Sequence, residues 1–83
     1  MMKMKKVENL GYYIHKDYAE LEPLNLMIIY EDCHEVHGKF LTMYNPVEAH
    51  REIGYDYFGE CIQITKEQYL EASKGYYTPS EYL

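Results

Sequence analysis

Cys33-His34-Glu35-Val36-His37 places one thiol and two imidazoles within five consecutive residues. Thiolate sulfur and imidazole nitrogen are the ligands zinc favours, so Cys33, His34 and His37, joined by Cys61, form a candidate four-ligand set. Their spacing departs from the usual zinc patterns, in which a second pair of ligands also sits close together. An enzymatic reading would make Cys33 a nucleophile and His37 its base. Glu31, Asp32 and Glu35 surround that thiol, and neighbouring negative charge suppresses the thiolate. The simpler reading, which we prefer, is a polar turn with partly exposed histidines, and Cys61 packed as a small apolar side chain.

Paired carboxylates are the other chemistry the sequence offers. Glu48 with Glu52, and Glu67 with Glu71, lie four apart in predicted helices. Such pairs repel mildly and mark a solvated face. A phosphate-binding loop, a dinucleotide fingerprint, a nucleophile elbow and an HExxH helix are all missing from the sequence. The expectation is a non-enzymatic chain without metal or cofactor.

Charge is more informative. The net charge is −6, yet Lys3, Lys5 and Lys6 all fall within the first six positions. From Val7 onward there are 14 acidic residues against 5 basic ones. A body of that sign repels nucleic acid and anionic membrane and attracts a basic protein surface. Eleven tyrosines and no tryptophan accompany the acids. Tyrosine carries a large apolar ring with a polar tip. So many in 83 residues cannot all find buried partners, so some are expected at the surface, where tyrosine is a common interface residue.

These residues need elements to position them. Residues 1–6 read as a flexible basic end and 7–83 as one domain. Gly11 to His15 has strand composition. Pro23 ends whatever precedes it. Leu24 to Tyr30 is a continuous apolar run that fits a strand covered on both faces. After the acidic turn, Val36 to Tyr44 is its hairpin partner, with Gly38 as a candidate bulge. Asn45-Pro46-Val47-Glu48 has the pattern of a helix start, predicting a helix from Pro46 to Ile53 stopped by Gly54. Tyr55 to Ile64 reads as the next strand. Thr65-Lys66-Glu67-Gln68 is a second capping box, opening a helix from Lys66 to Lys74 that ends at Gly75. Tyr76, Tyr77, Tyr82 and Leu83 form an apolar tail. The expected fold is a small α+β domain: a three- to four-stranded, mainly antiparallel sheet with two short helices on one face.

A basic start without a following apolar stretch is not a secretory signal, and no run approaches the roughly 20 apolar residues that span a bilayer. We expect a cytoplasmic protein with reduced thiols and no membrane partner.

The functional expectation is a protein-binding domain that docks an acidic, tyrosine-rich surface on a basic partner. Glu31, Asp32 and Glu35 with Tyr30 and Tyr44 are the first candidate patch, and Glu20 with Glu22 the second. Residues two apart on a strand lie about 7 Å apart, on the scale of successive phosphates. Carboxylates so spaced can occupy a groove meant for nucleic acid, which would make the protein an inhibitor of a nucleic-acid-handling partner without itself contacting nucleic acid. In size and composition the chain resembles the small acidic accessory proteins that phages encode against host machinery. The alternatives are the Cys/His metal or thiol module above, and a domain that self-associates into homo-oligomers through Tyr76 to Leu83.

Overall fold

The computed structural model describes residue 7 and residues 9–18, 20–34 and 38–83, with the side chains of residues 33, 34 and 38 left undescribed. Within those residues the chain forms five strands: β1 (Leu10–His15), β2 (Leu26–His34), β3 (Gly38–Asn45), β4 (Ala49–Ile53) and β5 (Cys61–Ile64). The helices are α1 (Tyr55–Gly59) and α2 (Lys66–Ala72), and single 3-10 turns cover Pro23–Asn25 and Ser80–Tyr82. All pairings are antiparallel, in the order β4-β3-β2-β1-β5.

The centre of the sheet is the apolar run. Leu26, Met27, Ile28 and Ile29 are each at most 2 % exposed, as a strand covered on both faces requires. Side chains alternate along a strand. Leu26 and Ile28 therefore join Tyr12, Tyr44, Tyr69 and Tyr82 on one face. Met27 and Ile29 join Leu41 and Met43 on the other, with Tyr13, Tyr57 and Phe58 packed over them. Tyr69 belongs to α2, and Tyr57 and Phe58 to α1, so the two helices cover opposite faces of a five-stranded sheet rather than one face of a smaller one.

The sheet is wider than expected because residues 46–64 fold differently from their local signals. The predicted helix over Pro46–Ile53 is a turn followed by edge strand β4. Asn45 still uses its cap chemistry: Oδ1 accepts the backbone N–H groups of Val47 at 2.7 Å and Glu48 at 2.9 Å. The chain then reverses, with Ala49 at φ +71°, and Asn45 pairs with Ala49. A side-chain cap satisfies the same donors in a turn as in a first helical turn. What decides between them is β3, which offers Ala49–Ile53 a ladder. The Tyr55–Ile64 strand is split in the same way. Tyr55–Gly59 is helical despite its aromatic content, since Tyr57 and Phe58 find burial against the Met27 face, and tertiary packing overrides propensity. This helix carries the chain from one sheet edge, β4, to the other, β5.

The second capping box forms as expected: Thr65 and Gln68 satisfy each other at the start of α2. The helix ends at Ala72, short of the expected Lys74, and Gly75 takes φ +91° beyond it. The β2–β3 register runs unbroken from Ile28↔Tyr44 to His34↔Gly38, so Gly38 is a paired residue and not a bulge.

The tyrosines close the structure. Tyr12 on β1 donates its hydroxyl to the Tyr82 carbonyl at 2.7 Å. Tyr44 on β3 donates to the Tyr77 carbonyl at 2.9 Å. The Tyr69 hydroxyl meets Thr78 Oγ1 at 3.0 Å, and the Tyr30 hydroxyl meets that of Tyr82 at 3.2 Å. Tyr12, Tyr44 and Tyr69 thus spend their polar tips on the C-terminal segment, and Tyr82 stacks on Tyr44 with centroids 5.2 Å apart. Much of the tyrosine content is explained by this stitching.

Candidate acidic docking site

The register places two connections at one end of the sheet. β1 ends at His15 where β2 begins, and β3 ends at Asn45 where β4 begins. Residues 16–18 and 20–25 therefore neighbour residues 46–48, and Glu60, one residue before β5, joins them through a backbone bond from Lys16 N–H to the Glu60 carbonyl at 2.8 Å. This pole carries Asp17, Glu20, Glu22, Glu48 and Glu60, all exposed, against Lys16 and the nearby Arg51. Exposed apolar side chains lie among them: Tyr18, Leu21, Leu24 and Val47.

Asn45 pins the pole together. Its side-chain N–H groups donate to the carbonyls of Leu24 at 2.8 Å and Leu26 at 2.7 Å, tying the loop 16–25 to the turn that Oδ1 closes. His15 does the same from the other side. Its Nδ1 accepts from the Asp17 backbone N–H at 3.2 Å, which puts the ring proton on Nε2, where it donates to Glu60 Oε2 at 3.1 Å. Both imidazole nitrogens are engaged, so His15 acts as a strut and offers no vacant nitrogen to a substrate or metal.

A cavity of about 190 Å³ opens at this pole on the Met27 face. Met27 and Met43 form its floor, Tyr18 and Tyr57 line its sides, and Glu48 and Arg51 stand at its rim. The Arg51 guanidinium lies 5.9 Å from the centre of the Tyr57 ring. A second hollow, lined by Asp17, Tyr18, Glu20 and Asn25, adjoins it. The two share Tyr18 and Asn25.

The sequence-level candidates are distributed unevenly. Glu20 and Glu22 belong to this pole. Glu31 and Asp32 are adjacent on β2 and so point to opposite faces, and Glu31 pairs with Lys39 at 3.3 Å. Tyr30 is half-buried against Tyr82, with ring centroids 5.4 Å apart. Tyr44 is 5 % exposed and belongs to the core, so it offers no face to a partner. The first patch is thus not assembled on one surface. Glu35 and His37 lie outside the described residues.

The proposed ligand set fares worse. Cys61 pairs with His15, beside the start of β2, whereas Cys33 and His34 end that strand. Eight residues of strand separate those levels, about 26 Å. Cys61 cannot join Cys33 and His34 around one ion. Its Sγ donates to the Tyr57 carbonyl at 3.3 Å, and burial, then Glu60, push its thiol up, away from a reactive thiolate. Among the described residues no group of three potential ligands converges.

Asp17, Tyr18, Glu48 and Glu60 were missed as site residues. Glu48 was hidden by the helix signal at Asn45-Pro46. Asp17 and Tyr18 share a connection with Glu20 and Glu22, and Glu60 joins them only once the strand register is known.

No protein-family model matches the chain, and no match is found among curated proteins or solved structures.

Proposed function

We propose that the protein is a binding domain that docks its acidic pole, residues 16–25 and 46–48 with Glu60, on a basic surface of a protein partner. One observation carries this reading: five exposed carboxylates and four exposed apolar side chains share one end of the sheet, fixed in place by Asn45 and His15. Carboxylates steer a basic partner and set its orientation, while desolvated apolar side chains supply affinity. A partner of that charge is the kind that handles nucleic acid, and covering its basic surface would inhibit it.

The apolar component separates this pole from an ordinary solvated acidic surface. Tyr18 and Leu24 are more than half exposed, at 51 % and 55 %, in connections held by buried hydrogen bonds.

Charge reversal tests the reading. The variant E20K/E22K/E48K is expected to lose binding to a ten-residue oligolysine at low salt, while E52K/E67K/E71K, which changes the charge equally on other surfaces, retains most of it. Equal losses in the two variants would remove the pole from the account.

A further inference from the structure

We propose that the two adjoining hollows at the acidic pole receive two arginine side chains, close in sequence, from one segment of the partner. This deepens the docking reading and rests on it. The first hollow has the chemistry of a guanidinium site. The aromatic side chains of Tyr18 and Tyr57 line it, buried Met27 and Met43 offer an apolar surface for an aliphatic stem, and Glu48 supplies a carboxylate. Aromatic faces attract cations, and the planar guanidinium stacks on them better than an ammonium does.

Two of the lining donors are already engaged. Asn45 gives its amide protons to Leu24 and Leu26, and His15 Nε2 gives its proton to Glu60. Glu48 and the tyrosine rings remain for a guest cation, and the competing cation at the rim is Arg51. Arg51 shows the preference from within the molecule: its guanidinium already lies over Tyr57. Arg51 is exposed, on edge strand β4, and can swing aside for a guest.

The second hollow differs. Asp17 and Glu20 line it, with Tyr18 as the wall shared with the first. A cation there gains two carboxylates. Side chains at positions i and i+2 of an extended segment lie on one side about 7 Å apart, on the scale of two sites flanking one ring. The matching guest is therefore an Arg-x-Arg segment.

The test uses two peptides of equal charge: one containing Arg-Gly-Arg, the other with its two arginines separated by six glycines. Binding is followed by NMR through the methyl signals of Met27 and Met43 and the backbone amides of residues 16–25. The Arg-Gly-Arg peptide is expected to bind more tightly and to shift both methyl signals in a saturable way. Y18A is expected to weaken it by about fivefold, the value of one cation–aromatic contact. R51A and K16A each remove one positive charge near the pole, so general attraction predicts the same gain from both. Vacating the Tyr57 ring predicts a larger gain from R51A. Equal affinities for the two peptides, or equal effects of R51A and K16A, would overturn the two-hollow proposal and leave the acidic pole standing. If neither peptide nor oligolysine binds at low salt, the docking function falls with it.

Discussion

The side-chain amide of Asn45 donates to the carbonyl of Leu26 at 2.7 Å, joining the last residue of β3 to the first of β2. The same side chain accepts from Val47 and Glu48 and donates to Leu24. One buried residue therefore sets the geometry of both connections at the acidic pole.

Replacing it should be costly. N45A would leave two turn N–H groups and the Leu24 and Leu26 carbonyls without this partner. Unsatisfied buried groups cost about 1–3 kcal/mol each, so a loss on the order of 3 kcal/mol is expected from chemical denaturation. N45D retains an acceptor for the turn but sets a buried carboxylate oxygen against the Leu24 and Leu26 carbonyls, and should be at least as destabilising as N45A. A denaturation midpoint unchanged in N45A would show that Asn45 does not organise the pole.

The C-terminal segment is the second test. Tyr82 is buried, stacks on Tyr44, and shares its hydroxyl with Tyr30 and His50. Y82A should cost about 3–5 kcal/mol, as large aromatic truncations do, whereas Y82F loses hydrogen bonds worth about 1 kcal/mol. Truncation from Tyr76 onward should destabilise the fold. This bears on self-association through the tail: Tyr82 is part of the core, and only Tyr76 and Tyr77 of that segment's tyrosines are exposed. Loss of an oligomer without loss of melting temperature on truncation would contradict this assignment.

Alkaline pH should expose the tyrosine network. Burial pushes Tyr69 up to about 12, and Tyr82 is raised further by burial and by Tyr30. The unfolded chain loses these protons near the ordinary value of 10.0. Between about 10 and about 12 the folded state binds more protons than the unfolded one, so stability falls as pH rises through that window. Below it this contribution is fully present. Y69F should flatten the decline measured by melting temperature against pH. An unchanged decline in Y69F would mean that Tyr69 is not among the groups responsible.

Backbone strain offers a gain. Ala49 takes φ +71°, a region that costs a residue bearing Cβ about 1 kcal/mol and costs glycine little. A49G should therefore be neutral or stabilising by a few tenths of a kcal/mol, after the greater freedom of glycine in the unfolded chain is subtracted. A loss of more than about 1 kcal/mol would show that the methyl group packs.

How much of this was legible in the sequence follows from particular residues. Leu26–Ile29 announced a doubly covered strand, because four consecutive apolar residues leave no solvated face. Thr65 and Gln68 announced α2, because their two hydrogen bonds are local. Asn45 points to a helix in sequence because a cap satisfies the same N–H groups in a turn as in a helix, and the choice is made by the edge of its own strand β3, on which Ala49–Ile53 pairs. Tyr55–Gly59 misled because aromatic content was weighed without knowing what the rings would cover. The acidic pole was half visible. Glu20 and Glu22 lie at this pole, with Asp17 and Tyr18 beside them in the same connection, whereas Glu48 and Glu60 meet them only through the register. Cys61 is separated from Cys33 and His34 for the same reason in reverse, since register carries it to the other end of the sheet.

The central claim is that one end of the sheet, and not the acidic surface at large, recognises a basic partner. The most direct measurement is an NMR map of amide shifts as oligolysine is added at low salt. The account predicts saturable changes concentrated in residues 16–25 and 46–48 and at Glu60, fading as salt screens the attraction. Changes of equal size along α2, at Glu67 and Glu71, would contradict it.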